Sequence, residues 1–221
     1  CAGGSGSPAG EGLCPVGTYC PEGSSIPLIA SPGKYSPTPG GIREEDCPPG
    51  SFSALFESSA CLPCPAGYTC ANFGQDQPFL CGRGTYRSLN DSLACKSCPA
   101  GRWNPHQGRP SIDYCLPCPA GAVCSRPGIG SMDDAVLCLQ GFVCGEGTSS
   151  ETMFDVVCPP GFVCGEGTTP ATLFGSACPE GYLCQNGTTV VGQFRIACPV
   201  GFYCPRGSFN LNPLPTAANP E

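Results

Sequence analysis

Long apolar runs are missing from this sequence, so no stretch of it reads as a membrane-spanning helix. Missing too is any window of a dozen residues without proline, glycine or cysteine, which excludes long helices and keeps strands short. Histidine is nearly absent. A serine or cysteine nucleophile would have His106 as its one possible base, with no motif around it. The residue reads as a solvated loop histidine, in a chain expected to be no enzyme and to hold no cofactor. Basic residues are few, 10 Lys and Arg against 17 Asp and Glu, for a net charge of −7. That balance argues against a nucleic-acid partner, whose phosphates require clustered cations. The closely alternating carboxylates of a calcium loop are lacking as well, so Glu146, Glu166, Asp133 and Asp134 read as solvated turn residues. The chain opens at Cys1 without a methionine or signal peptide and closes on the loose stretch 210–221, as expected of a segment of a longer secreted chain.

What is abundant is cysteine, glycine and proline: 21, 32 and 27 of 221 residues. Sulfur at that density means covalent staples in place of a large core, and thiols persist as bridges only in an oxidising compartment, in the secretory pathway or outside the cell. The clearest order runs from Cys138 to Cys204. There Cys-Pro-x-Gly-aromatic-x-Cys recurs every twenty residues, opening at Cys138, Cys158, Cys178 and Cys198 and closing at Cys144, Cys164, Cys184 and Cys204. Gly147, Gly167, Gly187 and Gly207 hold the same register, as do Phe154, Phe174 and Phe194. One such repeat holds too few large apolar side chains to fold alone, so stacking on its neighbours is required.

Taken in order, residues 1–46 hold a first repeat, Cys14 to Cys20, and a Pro- and Gly-rich degenerate repeat without cysteine. Residues 47–117 carry an open form, in which the openers Cys47, Cys81 and Cys98 meet their next cysteines after longer loops, at Cys61, Cys95 and Cys115. Residues 118–207 carry the closed twenty-residue form, and 208–221 read as a tail or linker. Three Cys-x-x-Cys pairs, Cys61/Cys64, Cys95/Cys98 and Cys115/Cys118, suggest a cysteine that closes one repeat beside one that opens the next. Zinc suits such pairs, but the oxidising setting and bridge-like spacings elsewhere favour junctions. In the degenerate repeat, Glu44 stands where a closing cysteine would be and an opener is missing near Ser31, as if both had gone together. Sequential pairing follows: 14–20, 47–61, 64–70, 81–95, 98–115, 118–124, 138–144, 158–164, 178–184 and 198–204, with Cys1 left over. A bridge across the longer loop, as from Cys144 to Cys158, stays open as an alternative.

In each closed repeat the proline and glycine let the chain double back, and the aromatic after the glycine is expected to pack on the bridge. Phe142, Phe162, Tyr182 and Phe202 would line one face of the array and Phe154, Phe174 and Phe194 another. Burial of this second row between repeats predicts a loss of roughly 3–5 kcal/mol on changing Phe174 to Ala. The expected fold is a small disulfide-rich repeat protein, mostly irregular with short β-hairpins, arranged as an elongated rod. Two sequons, at Asn90 and Asn186, are candidate N-glycosylation sites. Asn186 takes the turn position held by Glu146 and Glu166. Ser36-Pro37-Thr38-Pro39 reads as an extended linker or an O-glycosylated one. Trp103 and Tyr35, each beside prolines, read as covers for a proline or a bridge rather than as recognition residues.

The frames Cys-Pro-x-Gly-x-Tyr-Cys and Cys-x-x-Cys-Pro-x-Gly-x-Tyr resemble the ephrin-receptor-like and growth-factor-receptor-like cysteine-rich repeats, relatives in style of the tumour-necrosis-factor-receptor module. The resemblance covers roughly residues 14–207, with departures at Leu139, at Gly82 and in the cysteine-poor stretch 21–46. Long closed-form arrays are similar to those of large surface proteins of algae, oomycetes and ciliates, including mastigoneme-type proteins of flagellar hairs. The resemblance implies extracellular structural or binding work, with copies of the chain or another filament or coat protein as partner. A stalk or ligand-binding module of a receptor ectodomain is the alternative.

Overall fold

The motif Cys-Pro-x-Gly forms a tight turn at the start of every repeat. The N–H four places after the opener donates to the carbonyl one place after it, as from Tyr68 to Pro65 (3.2 Å) or Ala122 to Pro119 (3.1 Å), and the glycine between them has a positive φ, as a type II turn requires. Proline is dispensable here: Leu139 and Gly82 accept the equivalent bonds from Phe142 and Thr85. After the turn the chain runs two residues as a strand, makes a loop, and returns antiparallel.

The structure, a computed structural model, describes residues 12–89 and 93–213. Among these, eight two-stranded antiparallel sheets recur, each a hairpin within one repeat, such as Ser51–Phe52 with Leu62–Pro63 and Ala122–Val123 with Val136–Leu137. In the repeats opening at Cys138, Cys158 and Cys178 the hairpin shrinks to the single bridges Phe142 to Val157, Phe162 to Ala177 and Tyr182 to Ala197. One helical turn, Pro170–Leu173, forms in a loop because Thr169 caps it, Thr172 returns the capping bond and proline takes its first position. This is the mostly irregular, disulfide-rich hairpin-repeat fold expected from the cysteine and glycine spacing.

Ten bridges join consecutive cysteines from Cys14–Cys20 to Cys198–Cys204. At each Cys-x-x-Cys the first cysteine bonds back and the second forward: Cys61 to Cys47, and Cys64 to Cys70.

Successive repeats are joined by backbone atoms. Between the repeats opening at Cys158 and Cys178, the Gly161 N–H donates to Cys184 O, Cys178 N–H to Gly161 O, Cys164 N–H to Thr188 O and Gly187 N–H to Cys158 O, all at 2.8–3.0 Å. The same quartet joins the repeat opening at Ala30 to the one opening at Cys47: Gly33 to Ser53 O, Cys47 to Gly33 O, Ser36 to Ser58 O and Glu57 to Ala30 O. The motif glycine also leaves room for a repeat further along the array. A Cβ on Gly161 would lie 2.6 Å from the carbonyl oxygen of Gly207, two repeats on.

Repeats gather into two compact units, one drawn from Cys1–Ser97 and His106–Tyr114, the other from Cys98–Pro105 and Cys115–Glu221. Each core is thin and made mainly of bridges: among the described residues the first unit buries no other apolar side chain than Ala30, and the second adds Val123, Ile129, Val143, Val163 and Leu183. Val143 packs on the Cys158–Cys164 bridge of the following repeat together with Phe162 and Leu173, and Val163 packs on Cys178–Cys184 together with Tyr182.

Candidate interaction surface

The quartet fixes a common register, which places the first compact unit on a seventeen-residue step absent from the expectations above. Openers fall at Ala30, Cys47, Cys64 and Cys81, and the next at Cys98, before the step lengthens to twenty. Ala30, fully buried, takes the opener's place next to the expected Ser31. Glu44 is the fourteenth residue after it, as Cys61 is after Cys47. In place of a bridge, the Glu44 carboxylate accepts from the Ser31 N–H (2.9 Å) and from Lys34 Nζ (2.8 Å). Burial pushes the Glu44 carboxyl up, but the bonds from Lys34 and Ser31 outweigh it and hold the group below its ordinary value; the Glu44 hydrogen bond and charge raise Lys34. The staple of this repeat is electrostatic.

The same register explains four buried polar residues that sequence reasoning passed over. Ser36, Ser53, Arg87 and Asn104 occupy, in the open repeats, the place of the closed repeats' second cysteine, and each is at most 3% exposed. A polar side chain there must find partners. Ser36 Oγ donates to Thr18 O (2.8 Å), and Arg87 Nη1 donates to the equivalent carbonyl of Tyr68 (2.9 Å) and to Pro65 O. Ser36 and Arg87 thereby tie their repeats to the preceding ones, while the Ser53 hydroxyl bonds within its own repeat, to Leu55 O and Ser58 Oγ.

The aromatic rows divide. Phe142, Phe162 and Tyr182 are half-buried and pack on the bridges of their own repeats; Phe202, at the last repeat, is 37% exposed. Phe154, Phe174 and Phe194 are not buried between repeats. They are 52%, 77% and 58% exposed and meet the first row edge-on within each repeat, Phe142 with Phe154 at 5.1 Å, Phe162 with Phe174 at 6.0 Å and Tyr182 with Phe194 at 5.1 Å. The space between repeats is too shallow for a phenyl ring, and the buried contact is made by Val123, Val143, Val163 and Leu183, each just before the closing cysteine. A β-branched or leucine side chain recurring at that place was the available signal.

Turned outward, the returning segments of most repeats carry a further apolar row. Leu28 and Ile29, Leu62, Phe79 and Leu80 in one compact unit, and Leu116, Val136 and Leu137, Val156 and Val157, and Ile196 in the other, are each 40–60% exposed. They hold the two places before successive openers. The row is interrupted at Glu45–Asp46, Lys96–Ser97 and Ser176–Ala177, which hold the same two places; exposed apolar side chains recurring at one place are the mark of a surface that binds something.

Other expected sites fall as follows. Asn186 is exposed at a turn that the Thr188 hydroxyl closes onto Gln185 O (2.7 Å), and it lines an open groove of about 440 Å³; Asn90 lies outside the described residues, as does Cys1. Tyr35 shares a groove of about 430 Å³ with Pro37, Pro48 and Pro49, and burial, with the Glu45 carboxylate beside it, raises its hydroxyl. Trp103 packs against the Cys118–Cys124 bridge and Ile129. His106, Glu146, Glu166, Asp133 and Asp134 are exposed, and among the described residues no three His, Cys, Asp or Glu side chains converge as metal ligands. No helix among them is long and apolar enough to cross a membrane.

No protein-family model matches the chain, and no curated protein is similar to it. What the bridges establish is the setting: a disulfide-stabilised extracellular protein.

Proposed function

We propose that this is an extracellular structural glycoprotein, without catalytic activity, whose stapled repeats assemble with copies of the chain or a like partner into a filament or surface coat. The observation that carries this reading is the apolar row on the returning strands, one or two large side chains in most repeats at a fixed place. A periodic row calls for a partner with a matching period, and another array of these repeats has one. The exposed turn at Asn186 supports a glycan there, and the motif-level resemblance to cysteine-rich surface repeats points the same way. Electron microscopy of the unreduced protein at physiological salt, with its mass measured in parallel, tests the proposal. Filaments or sheets of regular repeat are expected. Isolated particles of monomer mass at all concentrations would overturn it, and the receptor stalk or ligand-binding module would become the better reading.

A further inference from the structure

Charge is segregated along this chain in a way the net value conceals. Residues 83–109 hold Arg83, Arg87, Lys96, Arg102 and Arg109, half of the 10 basic residues, against the single acid Asp91. Residues 127–194 hold Asp133, Asp134, Glu146, Glu151, Asp155, Glu166 and Glu180, and no lysine or arginine.

Within the first compact unit the fold gathers part of the basic stretch. Lys96 is the register partner of Tyr86, and Tyr86 bridges Arg109, so three backbone segments lie side by side with a cation on each flank. Arg83, at the turn of the same repeat, is exposed. Phe79 and Leu80, about half exposed, hold in the preceding repeat the place that Lys96 and Ser97 hold here, so the apolar row runs into the cations.

Within the second compact unit the same row is Leu137, Val156 and Val157, with exposed Phe154 beside it and exposed Glu151 and Asp155 along the adjoining loop. The joint between repeats is the same backbone quartet in both units. The two rows are therefore alike in construction and opposite in charge.

We propose that the row at residues 136–157 docks a second copy of this chain, which supplies its basic row at Phe79, Leu80, Arg83 and Lys96. The inference rests on the assembly reading above and deepens it by naming both faces. Because the faces differ, the contact is heterologous: a pair keeps one unused face of each kind, one on each copy, and growth proceeds head to tail into a ring or an open filament. Opposite charge sets orientation and speeds encounter, and apolar contact holds the pair.

The test is a charge exchange on the whole chain. One variant carries Arg83→Glu with Lys96→Glu, the other Glu151→Arg with Asp155→Arg. All four side chains are exposed and lie outside the bridges. Retention of ten disulfides by mass spectrometry certifies each variant. Sedimentation velocity at low salt should show the unmodified chain associating, and each variant alone associating about tenfold or more weakly, since like charges now face each other. An equimolar mixture should recover association, because each variant then offers the charge the other lacks. The same recovery is expected when all four changes are combined in one chain. Raising salt to about 0.5 M should weaken the recovered species, the charges being screened.

Association unaffected by either pair of changes would overturn this contact and leave the assembly reading standing. Failure of the mixture to recover, with all bridges formed in both variants, would also overturn it. No association of the unmodified chain under any condition would overturn both.

Discussion

Changing Ala30 and Glu44 together to cysteine should install the staple that the repeat at residues 30–46 lacks. The two positions stand fourteen apart, as do Cys47 and Cys61 and Cys81 and Cys95, whose Cα atoms are 5.8 and 5.6 Å apart. The hairpin beside them has the same register: Tyr35 pairs Glu45 as Phe52 pairs Leu62, one residue beyond the closing position in each. A bridge closing a 15-residue loop contributes about 3 kcal/mol in the chain-entropy model. Against this stands the loss of the Ser31 N–H bond to the carboxylate, about 1.5 kcal/mol for a charged acceptor; the Lys34 pair, facing solvent, adds little. The net is about 1.5 kcal/mol, or roughly tenfold slower local opening. Hydrogen exchange over residues 30–46 measures it, with the Lys34 and Ser36 amides, bonded to Ser31 O and Ser58 O, as reporters. Two free thiols in the folded variant would refute the register assigned to this repeat. A closed bridge with unchanged exchange would mean that the carboxylate already holds the loop as firmly as a covalent bond.

Three further outcomes are expected. Changing Val163 to Ala should cost about 1.5–2.5 kcal/mol in urea denaturation, from two lost methyl groups and the gap they leave on the next bridge, whereas Phe174→Ala should cost under about 1 kcal/mol, only an edge contact being lost; the reverse order would restore the phenyl row as the core. Glu57 is exposed and, among the described residues, the only non-glycine with positive φ (58°), at a turn position held by Gly40, Gly74 and Gly108 in neighbouring repeats, so Glu57→Gly should stabilise by about 0.5–1 kcal/mol, relief of the left-handed strain exceeding the added chain entropy. Glu44, lowered on folding, stabilises its repeat fully above the ordinary value of 4.5, and that contribution should be lost as pH falls through the lowered folded value; protection of residues 30–46, taken relative to the intrinsic exchange rate at each pH, should fall in acid in the native chain and be flatter in the Ala30→Cys, Glu44→Cys variant.

Legibility followed the strength of the local constraint. The turn Cys-Pro-x-Gly was readable because its glycine must adopt a positive φ, and the closed repeats because their cysteines keep one spacing. The seventeen-residue step is written in Cys47, Cys64, Cys81 and Cys98, but it is masked because the closed repeat Cys64–Cys70 stands among open ones and the first opener is replaced by Ala30, which is only small; Ser36, Ser53 and Asn104 look like loop residues until stacked beneath Cys70 and Cys124. Their burial depends on neighbouring repeats, information no single repeat contains. The phenyl row shows that side-chain size is a poor guide to burial in such an array. The gap between successive bridges is set by backbone hydrogen bonds, and it admits a valine. Glu44 was placed correctly as the missing closer, but its partners, a backbone N–H and a lysine four residues on from Ala30, follow only from the folded hairpin.

A joint made of main-chain atoms is indifferent to the identity of what it joins. The quartet asks of a repeat a glycine at the turn and room for its neighbour's carbonyl; side chains elsewhere, loop length and even the presence of a bridge vary without breaking it, as the Ala30 repeat and the mixed steps of seventeen and twenty show. Such an array can be lengthened, shortened or reshuffled by whole repeats, and every new junction inherits the old bonds. Copying one repeat in a gene would thus add one step to the protein at no cost in fit, leaving each copy's outward residues free to diverge.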